Sequence, residues 1–172
     1  RVGVEREDLM QVLSADFDDA RNAALRLLKS RDRSVHEIVD RLLRKGWEPG
    51  LIDKVTADLL RVGLLDDEAM ARRWVGLQLD RKPAAPPWLR SELARRGVDK
   101  ELIERVLEEY ADQTGSEASA LDLLRRQSGR YLSLDRDRAR RRMMGLLARR
   151  GFDPDTASGA VETIWKETEE EQ

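Results

Sequence analysis

The chain has 172 residues, no cysteine, 38% charged residues and a formal net charge of −2. The absence of cysteine excludes disulfides, thiolate zinc sites and cysteine nucleophiles. Its apolar runs are only a few residues long, far below the roughly 20 needed to span a bilayer, and no signal peptide is visible, so a cytoplasmic location is expected. The high charge and low aromatic content favour helices over a sheet.

A short pattern recurs three times along the chain, with its glycines 51 and 54 residues apart. In each copy an apolar residue and two basic residues precede the glycine, and a large apolar residue follows it. Cations in a last turn, a glycine in the left-handed conformation and an apolar residue after it are typical of a helix end. The three copies are Leu43–Trp47, Leu93–Val98 and Leu147–Phe152.

Another helix is predicted after each of these glycines. Asp99, Asp153 and Glu48 stand where an N-cap residue is expected, and Pro49 and Pro154 fall in the first helical turn. Apolar residues then recur 6, 9 and 13 positions after the glycine, which places them on one helix face. These residues are Ile52, Val55, Leu59, Ile103, Val106, Tyr110, Ala157, Ala160 and Ile164.

Two further helices precede each glycine. Ser34 and Glu37 form a capping box at the start of one of them, Pro86 opens its counterpart in the middle copy, and Asp135 opens the third. The helices before these are predicted near Asp19–Lys29, Asp67–Arg81 and Ser116–Arg130. The repeating unit is therefore helix–helix–helix.

The predicted fold class is all-α, an elongated, curved tandem array of three three-helix repeats, because a unit of this size buries little surface alone. The Glu-rich end of the chain is expected to be a disordered, solubilising tail, and a monomer is the simplest expectation. The predicted boundaries are an N-terminal extension at 1–18, repeats at 19–65, 66–113 and 114–168, and an acidic tail at 169–172.

Several segments of these repeats resemble the RecX regulatory proteins. Ala24–Ser34, with Glu37 and Leu42–Gly46, is similar to the first repeat of that family, and Gly63–Val75 is similar to its most recognisable segment. The endings of the second and third repeats are similar as well, and the resemblance covers roughly residues 20–165. The chain departs from the family at Lys82–Trp88, where a glycine and more basic residues are usual.

The resemblance implies a non-catalytic protein of homologous recombination, DNA repair and the SOS response. It implies a negative regulator that binds the RecA recombinase filament on single-stranded DNA and limits its growth, its ATPase activity and its recombinase activity. The alternative is a helical module that acts directly on DNA, and weak DNA binding is compatible with either. No cofactor is expected.

Four arginines of the predicted helix after Asp135 are candidates for contacting RecA or DNA. If Ala139, Met143 and Leu146 face the core, these arginines lie together on the outer face. Clustered guanidinium groups repel one another, so an anionic partner would relieve that repulsion; the alternative is a solvated face neutralised by nearby acids. The four are Arg138, Arg141, Arg142 and Arg149.

A second basic group lies in the middle repeat, with two tryptophans interleaved. Trp74 is expected to complete a core stripe with Met70 and Leu77, whereas Trp88 is either an exposed anchor or a packing residue that precedes its helix. The basic members are Arg72, Arg73, Arg81, Lys82, Arg90, Arg95 and Arg96.

The remaining polar candidates favour structural roles. Asp66 and Asp67 are expected to cap the helix that follows them rather than to act as catalytic carboxylates. His36 is the one histidine of the chain and is expected on the surface. Nucleotide-binding and nucleophile motifs are absent from the sequence, so no catalytic or metal-binding residues are predicted.

Overall fold

The computed structural model describes residues 2–131 and 133–170, which form helices and turns without a β-strand. The α-helices of the described chain are α1 (Val2–Ser30), α2 (Val35–Arg44), α3 (Pro49–Arg61), α4 (Asp67–Arg81), α5 (Pro86–Arg95), α6 (Lys100–Glu109), α7 (Glu117–Arg125), α8 (Arg136–Arg149) and α9 (Pro154–Glu170). Short 3₁₀ turns follow α6 and α7, at Ala111–Gln113 and Ser128–Arg130. The predicted all-α class with three-helix repeats is confirmed.

The chain divides into two compact units. The first unit runs to Met70 and includes Arg96–Val98, and the second contains Ala71–Arg95 and the chain from Asp99 onward. In the first unit, α1, α2 and α3 pack against one another around Ile38, Leu42 and Leu59. In the second unit, α7, α8 and α9 surround a core of apolar side chains, and α5 packs on α6.

The helix ends form as the repeated pattern predicts. Gly46 and Gly151 both have a φ of +87°, and Gly97 has a φ of +75°. The amide N–H groups of Trp47 and Phe152 then fold back to donate to the carbonyls five residues earlier, at 3.2 and 3.1 Å. These bonds satisfy carbonyls that the end of a helix would otherwise leave without partners.

The first turn of α2 is held by charged hydrogen bonds within the first unit. The Oγ atom of Ser34 accepts from the Glu37 amide at 3.1 Å, and Glu37 Oε2 accepts from the Ser34 amide at 2.9 Å. Arg96 Nη2 and Arg31 Nη2 also donate to the Glu37 carboxylate, at 3.0 and 2.8 Å. Burial alone would raise the pKa of Glu37, but the hydrogen bonds from Arg96, Ser34 and Arg31 hold it below its ordinary value.

We expect Glu37→Gln to lower the free energy of unfolding by about 1–3 kcal/mol at pH 7, because a charge-assisted network loses its acceptor. Since the folded protein lowers the pKa of Glu37, the wild-type carboxylate stabilises the fold above the unfolded value near 4.5, and this contribution disappears as the pH falls through the folded pKa. In urea titrations at a series of pH values, the free energy of unfolding of the variant should therefore fall less than that of the wild type over the roughly 3 pH units below pH 6.

Glu104→Gln is the matched control for this prediction, because Glu104 also pairs with an arginine, Arg90, but on an exposed surface. An exposed pair of this kind contributes little to stability. Equal losses in the two variants would contradict a special role for the Glu37 network.

Several elements differ from the sequence-based prediction. The first helix was expected near Asp19–Lys29, but α1 begins at Val2 and includes residues assigned to the extension. From Val4 to Ser30 the sequence contains no proline or glycine to stop it. The helix expected at Ser116–Arg130 ends as an α-helix at Arg125, before a segment with serine and glycine, which are weaker helix formers.

The acidic end of the chain also differs from the expected disordered tail. Helix α9 continues to Glu170, and Glu171 and Gln172 lie outside the described residues. Arg125 Nε donates to the Glu167 carboxylate at 3.1 Å, and Ile164 packs in the core, so one side of the last turns has partners within the second unit. Over residues 2–131 and 133–170, no helix combines the length and apolarity needed to cross a membrane.

Candidate functional site

The core-facing side of α8 determines which of its arginines reach the surface. Asp135 caps the helix, with its carboxylate accepting from the Arg138 amide at 3.0 Å. Ala139, Met143 and Leu146 are buried in the core of the second unit. The opposite side therefore carries the exposed arginines at the positions predicted from the spacing, namely Arg138, Arg141, Arg142 and Arg149.

Three of these arginines line a cleft of about 580 Å³ in the second unit. The end of α4, the turn after α7 and one face of α8 form its walls. Arg138 is not among the lining residues, and its Nε atom lies 3.5 Å from the Asp135 carboxylate. The lining residues, hereafter the basic cleft, are Lys82, Gln127, Arg130, Tyr131, Arg141, Arg142, Gly145, Leu146 and Arg149.

The basic cleft contains positive charge without a neighbouring acid. None of the residues that line it is acidic. Among the described residues, no carboxylate oxygen lies within 4.0 Å of a side-chain nitrogen of the five cations that line the cleft. Elsewhere on the surface, arginines such as Arg44, Arg61 and Arg125 are each paired with a carboxylate. The basic cleft is therefore a place where this near-neutral chain concentrates uncompensated charge.

Burial and neighbouring positive charges shift the pKa values of two residues of the basic cleft. Burial, followed by the guanidinium groups of Arg150, Arg130 and Arg149, holds the pKa of Lys82 below its ordinary value. Burial raises the pKa of Tyr131, so its phenol stays neutral and adds no negative charge at physiological pH.

Gly145 leaves room for one of the guanidinium groups. A Cβ atom at this position would lie 3.3 Å from Arg149 Nη1. The guanidinium group of Arg149 thus lies against the bare backbone of α8 at the cleft wall.

Arg150 organises the segment that carries Lys82. Its Nε and Nη2 atoms donate to the carbonyls of Pro83 and Lys82, at 3.0 and 2.8 Å. Its own carbonyl accepts from the amide of Ala85 at 2.9 Å. These three bonds order the proline-rich stretch in which the chain departs from the usual family pattern.

The tryptophans of the middle repeat form part of the same arrangement. The guanidinium carbon of Arg150 lies 3.7 Å from the ring centroid of Trp88, and Trp88 stacks on Trp74 with centroids 5.9 Å apart. Both tryptophans are half-buried. Of the two predicted roles of Trp88, the structure therefore supports a packing residue, since its ring contacts Trp74 and Arg150. The expected core stripe was wrong for Leu77, which is 55% exposed although Met70 is buried.

Most of the second basic group is engaged in ion pairs. Arg72 forms a two-pronged pair with Glu109, at 2.6 and 2.7 Å, and Arg90 forms one with Glu104. In the same group, Arg95 pairs with Glu92, and Arg96 pairs with Glu37. Arg73 and Arg81 are exposed, and of the whole group Lys82 alone lines the basic cleft.

The other polar predictions have structural outcomes. Asp66 caps α4 by accepting from the Ala69 amide at 2.9 Å, as predicted for one of the two acids. Asp67 instead accepts from the Val35 amide at 2.8 Å, at the start of α2. His36 is exposed, and the described residues contain no cluster of three His, Asp or Glu side chains suited to a metal ion.

Sequence reasoning missed several contributors to this region. Gln127, Arg130 and Tyr131 enter the basic cleft because α7 stops early and the chain turns back, and Arg150 acts from beyond the end of α8. The arginines of the stretch 125–130 could have indicated this basic region, but the turn after α7 decides which of them face the cleft.

Comparison with known families assigns each repeat. Residues 20–59, 66–107 and 116–161 match the first, second and third three-helix domains of RecX. Two crystal structures of RecX share the fold. The one from Lactobacillus salivarius has a TM-score of 0.72 at 20% identity, over 88% of this chain and 97% of that chain. The other has a TM-score of 0.74 at 19% identity, over 90% of this chain and 75% of that one.

Curated relatives agree with the domain assignment. The regulatory protein RecX of Chlorobium phaeobacteroides (strain BS1) is 32% identical over 154 residues, which cover 88% of this chain and 99% of that protein. The regulatory protein RecX of Mycobacterium avium (strain 104) is 34% identical over 146 residues, covering 84% of this chain and 83% of that protein. The chain therefore belongs to the RecX family of regulatory proteins.

Proposed function

We propose that this protein is a non-catalytic negative regulator that binds the RecA nucleoprotein filament on single-stranded DNA. Binding limits filament growth, ATP hydrolysis and recombinase activity. The observation that carries the proposal is the match of all three tandem domains to RecX, because the curated relatives that the chain resembles are named regulatory proteins.

The basic cleft supports the same proposal from its charge. A filament presents DNA phosphates and acidic protein side chains, and both are anionic. Guanidinium groups recognise phosphates and carboxylates through paired hydrogen bonds, which an ammonium group does not provide in the same geometry. Arg141 and Arg142 have no carboxylate partner among the described residues, so their donors are available to such a surface.

The test is to titrate the protein into RecA hydrolysing ATP on single-stranded DNA. We expect hydrolysis to fall at substoichiometric protein. The double variant Arg141→Glu/Arg142→Glu should need at least about tenfold more protein for half-inhibition, because repulsion replaces attraction at the contact. Unchanged hydrolysis with wild-type protein in excess would contradict the proposal.

A matched control for this test is Arg44→Glu/Arg61→Glu. It changes the total charge by the same amount at two exposed arginines of the first unit, outside the basic cleft. It should inhibit like the wild type if the cleft is the contact. Equal loss in both double variants would mean that only net charge matters.

Direct binding to DNA is a second candidate, and the absence of acids from the basic cleft is the observation that favours it. Affinity for a naked single strand would then fall steeply with salt, by about 0.7 logarithmic units per phosphate neutralised for each tenfold rise in salt. Tight, salt-sensitive DNA binding with unchanged RecA hydrolysis would select this candidate instead.

A further inference from the structure

We propose that the basic cleft is a binding site for a compact polyphosphate, such as the triphosphate group of a free nucleotide or an inorganic polyphosphate chain. Its ligand would be a small molecule that carries several negative charges on adjacent phosphates. This inference goes beyond the proposed function and does not depend on it, since the ligand binds without RecA.

The first argument is the convergence of charge. Lys82 comes from the end of α4, Arg130 from the turn after α7, and the other three cations from α8. They face one concavity rather than forming a line along the surface. A volume of about 580 Å³ is in the range of small-molecule sites. The geometry thus suits a compact anion that several cations surround.

The second argument is charge density. A nucleic-acid strand carries one charge per nucleotide, and a sugar separates successive phosphates. A polyphosphate chain joins its phosphates directly and places several charges in one cleft. The five cations of the basic cleft, which have no carboxylate partner among the described residues, are better neutralised by the second kind of ligand.

The third argument is preorganisation. The guanidinium group of Arg150 holds the carbonyls of Lys82 and Pro83, so the backbone that presents the Lys82 side chain is already fixed. Gly145 lets Arg149 lie close against α8. Ordering the backbone at Lys82 before the ligand arrives reduces the entropy lost on binding. It also means that the repulsion among the cations is present before binding and is relieved by it.

The experiment is isothermal titration calorimetry of the full chain with inorganic tripolyphosphate, ATP and oligothymidylate, each in buffer with a chelator to remove divalent cations. We expect one-to-one binding of tripolyphosphate and ATP. Arg142→Ala and Lys82→Ala should each weaken it by about tenfold, because each removes a charge-assisted contact. Circular dichroism melting of each variant reports whether it is folded.

Arg138→Ala is the matched control, since it removes an exposed arginine of the same helix that does not line the cleft. It should bind tripolyphosphate like the wild type. If Arg138→Ala and Arg142→Ala weakened tripolyphosphate binding equally, the affinity would come from the overall positive charge of α8, and the proposed site would be overturned. Binding of oligothymidylate without tripolyphosphate binding would overturn the polyphosphate assignment in favour of a nucleic-acid backbone. Failure of tripolyphosphate and ATP to bind would overturn the site altogether.

Discussion

Gly151→Ala should destabilise this protein far more than Gly46→Ala, although both glycines have a φ of +87° and end equivalent helices. At Gly46 an added Cβ would meet nothing within 4 Å, so only backbone strain of about 1–2 kcal/mol applies. At Gly151 the added Cβ would lie 2.7 Å from the backbone nitrogen of Trp88 and 3.0 Å from its Cβ. Because backbone atoms of α5 cannot rotate away, we expect a loss of about 3 kcal/mol or more.

Urea unfolding of the two variants and the wild type, followed by far-ultraviolet circular dichroism, measures this difference. Gly46→Ala serves as the internal control, since it has the same local conformation without the close approach. Similar losses in the two variants would mean that Gly151 does not lie against Trp88 in solution. If Gly151→Ala does not fold, Gly151→Asn gives a second test, because asparagine tolerates the left-handed conformation but adds the same Cβ.

Arg150→Ala should be the next most damaging change, with an expected loss of about 2–4 kcal/mol in the free energy of unfolding. The variant loses two hydrogen bonds to backbone carbonyls and a cation–π contact at 3.7 Å. Arg150→Lys should recover only part of the loss, since an ammonium group cannot donate in the same planar geometry while stacking on Trp88.

Arg149→Ala is the control for Arg150→Ala, because it removes the neighbouring arginine, which is exposed and has no carboxylate partner among the described residues. Its free energy of unfolding should stay close to that of the wild type. Tryptophan fluorescence should change in the Arg150 variants and not in Arg149→Ala, since Arg150 is the one of these two arginines that lies over the Trp88 ring. Equal stability of Arg150→Ala and Arg149→Ala would contradict the assigned contacts.

The role of Arg150 has a counterpart earlier in the chain. Arg96 occupies the same position before its glycine, and within the first unit its Nη2 atom donates to the Asp32 carbonyl at 3.0 Å. The carbonyl of Arg96 accepts from the Ser34 hydroxyl, much as that of Arg150 accepts from the Ala85 amide. In both cases the arginine before the glycine binds the loop that leads into an earlier helix. In the first copy the equivalent residue is Lys45, which is exposed.

Local features of the fold were predictable because their causes lie within a few residues. The Ser34–Glu37 capping box joins residues three apart, and the buried faces of α8 and α9 follow from a period of 3.6 residues. The orientation of Arg141 and Arg142 follows from the same period. Where a terminating signal was weak, as after Arg125 in α7, the predicted boundary was displaced.

The sequence by itself determined most of the helices, their caps and their inward faces, since each depends on short-range spacing, and the segments that resemble RecX indicated the family. Only the tertiary structure decided which cations are neutralised and which are left in the basic cleft. Arg72 meets Glu109 across 37 residues, and Arg150 meets Lys82 across 68. Spacing within a helix carries no information about such distant partners, because they are brought together by the packing of helices that bury apolar faces.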